Sequence, residues 1–384
     1  MSDKIRLLVT MRDIAAATHL VRVIKSDVFK SKFSLRVLAQ RPASDLLLLN
    51  DIKHTVVDIP PCRSADSEDG LKLLAFVERE FIENPCDVIL AGLSTPFDGG
   101  IDEAVLALAK VPTLLLQDFW GEQNRFFGKG ADVALVLDEA AERRNKLKFN
   151  LPSVIVGSAR HSAYQNLDFP LMRRDMRKKL QIADDRSVIG FFGQALNRLS
   201  GYRRTVRAFI RTVAELNQDL IVLVRSHPRE TPDQQAELAL LFKEAKVQTI
   251  FCNEGQVDTI LPACDIVCSL FSNCTYDASY QNWFSSQPLS VPVSLLFDPE
   301  IATYYRERVD FEDLPIHAEG LVIPVYAQKN LATVLYDSLS IESKKKTWER
   351  AKKVLPDPQS SIKRIAEAIS SELDKRTTGT FVDG

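Results

Sequence analysis

The sequence predicts an α/β protein of two Rossmann-like domains facing each other across a cleft, and three observations carry that reading. Short runs of Val, Ile and Leu alternate with longer amphipathic stretches, the pattern of parallel strands covered on both faces and joined by helices. The succession occurs twice, with a charged helical join between the two sets. The 384 residues, 45% of them apolar, also suffice for two cores of ordinary size.

In the first set, Ile5 to Thr10 reads as a strand, Ala15 to Ser26 as a helix, and Ser34 to Ala39 and Thr55 to Asp58 as further strands, separated by polar or Pro-containing turns. Leu71 to Glu83 has a helical period. Asp87 to Gly92 is a strand whose following loop holds Pro96, Gly99 and Gly100. A helix from Asp102 to Lys110 leads to strands at Pro112 to Leu116, Val133 to Leu137 and Ser153 to Val156. The charged stretch Leu171 to Leu180 opens the second set. Its strands are Ser187 to Phe192, Leu220 to Arg225, Gln248 to Cys252 and Ile266 to Leu270, with helices at Arg203 to Leu216, Pro232 to Ala245 and Val257 to Ala263. Ser340 to Leu373, rich in Lys, Glu and Ala, reads as C-terminal helices broken at Pro356 and Pro358. The expected domains are 1–165, 166–345 and a helical tail, 346–384.

Forty-nine Lys and Arg against 51 Asp and Glu give a net charge of −2, so no nucleic-acid partner is expected, although a local basic cleft is compatible with that balance. No run approaches the ~20 apolar residues of a membrane span, and Met1-Ser2-Asp3-Lys4 enters a strand without a signal-peptide pattern. The expectation is a cytoplasmic protein, compatible with peripheral membrane association. The six cysteines form no CxxC pair, and Cys264, Cys268 and Cys274 read as small apolar residues near one strand. No metal site is expected.

Chemistry is expected where strands end, because open α/β sheets bind ligands outside the carboxyl ends of their strands. Val224-Arg225-Ser226-His227-Pro228-Arg229-Glu230 lies at such an end, and its cations suit a phosphate, although His227 alone could serve the loop. Farther on, an apolar strand from Asp265 opens into Ser272-Asn273-Cys274-Thr275. If a helix starts there, its N–H groups and those side chains make an anion seat, or else an ordinary cap. Gly193 and Gln194 end the first strand of the second set, where a glycine allows a backbone to approach a ligand or simply turns the chain. Arg198, Tyr202 and Arg203 follow.

The Arg-x-His-Pro strand end, the later Ala-x-Asp-Ile-Val strand and its hydroxyl-rich turn together resemble the C-terminal domain of GT-B glycosyltransferases. Within these, the pattern is similar to that of CDP-glycerol glycerophosphotransferases and bacterial sialyl- and polysialyltransferases. That resemblance implies a metal-independent transferase without a cofactor, taking a CMP-, CDP- or UDP-linked donor sugar or polyol phosphate to a saccharide, lipid-linked glycan or protein acceptor. It implies a donor site of Gly193, Gln194, Arg225, His227, Pro228, Arg229, Ser272, Asn273 and Thr275, with Asn273 where the families have a second hydroxyl. No DxD-like pair sits in a suitable loop, so positive groups and helix N-termini would stabilise the leaving nucleotide.

The first half would bind the acceptor. Its loops Gly92 to Glu103 and Gln117 to Phe126 follow two strands, and a carboxylate there would take the acceptor's proton. Asp98, before Gly99-Gly100, resembles the acidic-Gly motif of the sialyltransferases and is the first choice of base. Asp118 is the second. Arg12, Ser94, Thr95, Trp120 and Glu122 are the candidate acceptor contacts, while Trp120 with Phe126 and Phe127 could equally be core or interface. Gly157 to His161 reads as the junction between domains, His161 being structural. UDP-GlcNAc 2-epimerases share the architecture and a His-Pro segment, and their Gly-Thr-Arg-Pro-Glu loop is echoed by Thr10-Met11-Arg12-Asp13. An isomerase and a non-catalytic nucleotide-binding scaffold are therefore the alternatives.

Overall fold

The computed structural model describes residues 4–216, 219–309 and 313–377. The chain forms two compact units, one of residues 1–165 with 356–384 and the other of residues 166–355. In unit 1 the strands are β1 (Ile5–Met11), β2 (Phe33–Ala39), β3 (Thr55–Val56), β4 (Val88–Gly92), β5 (Thr113–Leu116), β6 (Val133–Val136) and β7 (Ser153–Ile155). They pair in parallel in the order β3-β2-β1-β4-β5-β6-β7.

Parallel strands need crossover helices, and the alternation of side chains along β1 shows which face each covers. Leu7, Val9 and Met11 pack with Leu20, Val23 and Ile24 of the helix Ile14–Lys25 and with Ile365, Ala366 and Ile369 of the helix Ser361–Thr377. Leu8 points the other way, into Leu73, Val77, Ala104 and Val105 of the helices Glu68–Glu83 and Ile101–Leu108.

Unit 2 contains β8 (Ser187–Phe192), β9 (Leu220–Arg225), β10 (Thr249–Phe251), β11 (Ile266–Ser269), β12 (Val291–Leu295) and β13 (Ile323–Val325), all parallel in the order β10-β9-β8-β11-β12-β13. The last two strands are additions to the sequence reading, and each carries a proline, Pro292 and Pro324, a residue that normally argues against a paired strand. Residue 346, the expected start of the helical tail, lies inside the helix Ile341–Val354 of unit 2.

At the amino end of β11, Asp265 binds three cations and one amide. Its carboxylate accepts from Arg173 at 2.7 Å, Arg177 at 2.8 Å, Lys344 at 2.9 Å and the Val188 N–H at 2.8 Å. Burial alone would raise its pKa, but Arg173, Lys344 and Arg177 together hold it below the usual carboxylate value. The charged join is thereby pinned to the sheet, and Arg177, only 2% exposed, keeps a counter-ion.

Candidate functional site

In both sheets the chain runs outward from the first strand, then crosses to its other side. The order therefore reverses between β1 and β4 and between β8 and β11, and a crevice opens at the carboxyl ends of those strands.

In unit 2 one hydrogen-bonded chain links the loops at this point. Gln194, after β8, accepts the Phe271 N–H at 2.9 Å on Oε1, and its own N–H donates to the Tyr202 hydroxyl at 3.3 Å. The Tyr202 hydroxyl donates to Glu230 Oε1 at 3.4 Å, Asn197 Nδ2 donates to the same oxygen at 3.1 Å, and the His227 N–H donates to Oε2 at 3.2 Å. Burial raises the Glu230 pKa, while its donors Asn197, His227, Tyr202 and Ser226 oppose the rise. Glu230 and Asn197 have no role in the sequence reading. A Glu three residues beyond a His, just before a Pro-started helix, is their only sequence signal.

The same loop sets the histidine's tautomer. The Arg229 N–H donates to His227 Nδ1 at 3.1 Å, so in the neutral ring the proton sits on Nε2. Burial first and Arg229 second lower the His227 pKa. His227 is thus a neutral donor through Nε2 at pH 7. Pro228 and Arg229 are exposed beside it.

Arg225 is spent on structure, since its guanidinium donates to the carbonyls of Cys252 at 3.2 Å, Glu254 at 3.1 Å and Gly255 at 2.7 Å. A Cβ on Gly193 would come 3.2 Å from the Tyr202 hydroxyl and 3.4 Å from the Arg225 carbonyl, so the close approach there is to protein. A helix does begin after Ser272, at Asn273–Phe284. Ser272 Oγ accepts the Cys274 N–H at 3.3 Å, and buried Thr275 turns its hydroxyl back onto the Ser272 carbonyl at 2.9 Å. Those two residues build the cap, and Asn273 is exposed at the first helical position. Beside it, Phe271 stacks on Tyr304 and Tyr305, and Arg198 lies over the Tyr304 ring.

In unit 1 the strand ends gather carboxylates around one guanidinium. Arg12, 3% exposed, pairs with Asp98 at 2.7 Å, lies 3.4 Å from Glu103, and donates to the carbonyls of Thr95 at 3.0 Å and Asp98 at 3.1 Å. Asn124 donates to the same two carbonyls, both at 2.8 Å. Arg12 therefore shapes the 95–98 loop, and Asp98 reaches solvent only as its ion-pair partner. The Thr95 N–H donates to Asp13 at 2.9 Å.

Below this loop, Asp102 and Glu103 sit in the first turn of the helix Ile101–Leu108, sealed from solvent. Thr10 donates to Asp102 at 2.6 Å, and Ser94 and the Gly100 N–H donate to Glu103. Burial and the charge on Glu103 drive the Asp102 pKa far up, and burial raises Glu103 against the pull of Arg12. Asp118, two residues past β5 and partly open to solvent, is pushed up to about 7, chiefly by burial, with Asp13 adding and Arg160 opposing. Two further candidate acceptor contacts are engaged within the protein, as Arg12 and Ser94 are. Trp120 is 3% exposed and donates to Asp138 at 2.7 Å, and Glu122 pairs with Arg144 and Lys148 at 3.2 Å each. His161 is buried, its Nδ1 2.6 Å from Ser158 Oγ.

Among the described residues no group of three or more His, Cys, Asp or Glu could hold a metal ion, and no helix is long and apolar enough to cross a membrane. No disulfide joins any of the six cysteines, all of which lie among the described residues.

No family model matches the chain, and no curated protein matches its sequence. Solved structures do match its architecture. A protein described as a UDP-N-acetylglucosamine 2-epimerase from Listeria monocytogenes aligns with a TM-score of 0.68 at 15% identity, over 97% of this chain and 98% of its own. The UDP-GlcNAc 2-epimerase of Neisseria meningitidis, bound to UDP-GlcNAc, aligns at 0.64 and 12%, over 96% and 100%. MurG of Acinetobacter baumannii aligns at 0.62 and 12%, over 96% and 100%. With two parallel sheets in this strand order and coverage of nearly the whole chain, the protein has the GT-B fold.

Proposed function

We propose that the protein is a nucleotide-sugar transferase, with the nucleotide held by unit 2 and proton transfer handled by unit 1. The hydrogen-bonded chain from Phe271 through Gln194, Tyr202 and Glu230 to His227 carries this reading. It ties the loop that carries one neutral N–H donor to the loop that leads into a capped helix start, the two kinds of group that stabilise a departing phosphate. Arg229 and Asn273, both exposed, complete the donor set, while Arg225, Ser272 and Thr275 support it from behind. UDP is the first nucleotide to test, because solved structures of this fold carry it.

Transfer needs one base for the acceptor hydroxyl. Asp118 supplies it, poised near neutrality, whereas Asp98 is held by Arg12. Epimerisation is the second reading, favoured by the names of the structural neighbours. Inverting a C–H centre requires a base on one face and an acid on the other, and the remaining perturbed carboxyls of unit 1, Asp102 and Glu103, are sealed.

A thermal-shift panel of CMP, CDP, UMP, UDP, GDP and ADP on the wild type and His227→Ala tests the nucleotide site, since a ligand of the native state raises its stability. The expected result is a selective shift lost in the variant. Incubation with UDP-GlcNAc in D₂O then separates the activities. Deuterium at C2 without an acceptor means epimerisation and refutes transfer, whereas acceptor-dependent UDP release supports it.

A further inference from the structure

A second cavity, at the other edge of the unit 2 sheet, has a chemistry of its own. It is a groove of about 560 Å³ beside Ile323, the first residue of β13, between the 318–320 turn and the helix Ile341–Val354. Strand β13 runs parallel to its neighbours, so its amino end lies away from the carboxyl ends where His227 and Ser272 sit. From that helix Ser343, Lys346, Thr347, Arg350 and Lys353 line it at offsets of 0, 3, 4, 7 and 10, a single stripe, and two carboxylates also line it, Glu319 against Arg350 and Glu349 paired with Lys345.

Three cations in that stripe face one opening, in different states. Arg350 is anchored: its Nε donates to the Glu319 carbonyl and its Nη2 lies 3.2 Å from the Glu319 carboxylate, leaving the Nη1 edge. Lys346 and Lys353 are exposed and make no ion pair among the described residues. Their neighbours on the helix are differently employed, Lys344 on Asp265 and Lys345 on Glu349. Gly320, at φ +67°, turns the opposite wall without a side chain to fill the space. At 1.5 Å per residue the three cations are spread over about 10 Å of the helix axis, a longer span than a single phosphate occupies.

We propose that this groove is a binding site for a small ligand carrying a chain of at least three phosphate groups, one for each of its three cations. Its concavity and volume are those of small-molecule sites, which separates it from a flat face for a membrane. Lys346 and Lys353 supply point charges, the Arg350 edge supplies a directed donor, and the Ser343 hydroxyl lies within the same stripe.

The test is titration calorimetry of the full chain with inorganic tripolyphosphate, with orthophosphate, UDP and phosphatidylglycerol vesicles as further arms, on the wild type and on Lys346→Ala/Lys353→Ala. Both lysines are exposed, so the double variant should keep the wild-type melting temperature, which is measured alongside. The expected result is one tripolyphosphate per chain, bound more tightly than orthophosphate, weakened at least tenfold in the double variant, weakened by raising salt, and unaffected by saturating UDP. Absence of binding, binding unchanged in the double variant, or competition by UDP would each overturn the proposal, the last by moving the anion to the nucleotide site. Vesicle binding without tripolyphosphate binding would overturn it in favour of a membrane face. Because UDP is scored separately, failure of the groove leaves the nucleotide reading standing, and the reverse holds as well.

Discussion

Asp118→Asn separates a functional carboxyl from a structural one, because it should damage activity and strengthen the fold. Folding raises the Asp118 pKa from 3.8 to about 7, so the folded chain favours the neutral acid about a thousandfold more than the unfolded chain does. The stability of the wild type is full below the unfolded pKa, falls as pH rises from about 4 to about 7, and is flat above. The total loss is about 4 kcal/mol, somewhat more than half of which falls between pH 5 and pH 8. The amide of the variant cannot ionise, so the stability difference between variant and wild type should grow by that amount over the same interval. Urea titrations at pH 5, 6, 7 and 8 measure it. With Trp283 and Trp348 replaced by Phe, Trp120 reports on unit 1 alone. Activity of the variant should fall by about 10²–10⁴, the range for loss of a general base. Parallel pH dependences for the wild type and Asp118→Asn, or a variant that keeps its activity, would refute the reasoning.

Three further outcomes follow from the same geometry. Asp102→Asn replaces a buried acid held neutral by its surroundings with its uncharged isostere, so it should leave the melting temperature at pH 8 unchanged or higher, as calorimetry would show. Asp265→Asn removes the counter-ion of buried Arg177 and should cost about 3–5 kcal/mol in urea unfolding at pH 7. Since the Asp265 pKa is depressed, the wild-type advantage is present above the unfolded carboxylate pKa and disappears as pH falls through the folded one, so the two proteins should converge in acid. His227 acts as a neutral donor with a lowered pKa, so UDP affinity by calorimetry should stay level from pH 8 to 7, and His227→Ala should weaken it by about tenfold, the net value of one hydrogen bond to a charged group.

Strand runs buried on both faces write themselves plainly into a sequence, as β4, β5 and β6 do, and the short, partly exposed edge strands β3 and β7 were legible from the polar turns beside them. In unit 2, β12 and β13 were hidden by Pro292 and Pro324, because a parallel strand tolerates a proline wherever the missing N–H has no carbonyl to meet. The helix Glu139–Phe149 was equally hard to see, since only Ala141 and Asn145 are buried on it and an almost wholly solvated helix shows little apolar period. Positions of candidate site residues were legible to within a loop, because strand ends mark them. Their roles were not. Whether Arg12 or Arg225 meets a ligand depends on which carbonyls and carboxylates surround its guanidinium, and Asp98 and Glu103, or Cys252, Glu254 and Gly255, come together only through the fold.

The two strand-end clusters divide their chemistry by sign. In unit 1 the buried guanidinium of Arg12 is surrounded by acids; burial and the charge on Glu103 drive the Asp102 pKa far up, burial raises Glu103 as well, and burial brings Asp118 up to about 7. Such a site can accept a proton and repels phosphate. In unit 2 the strand ends present N–H groups, with Glu230 turned inward to orient them. Such a site can hold phosphate and has no exposed base, since His227 Nδ1 is occupied by the Arg229 amide. In the transfer proposed above, holding the nucleotide falls to unit 2 and deprotonating the hydroxyl to unit 1. The protonation state of Asp118 is the quantity on which that division of labour depends, and its pH dependence is open to direct measurement.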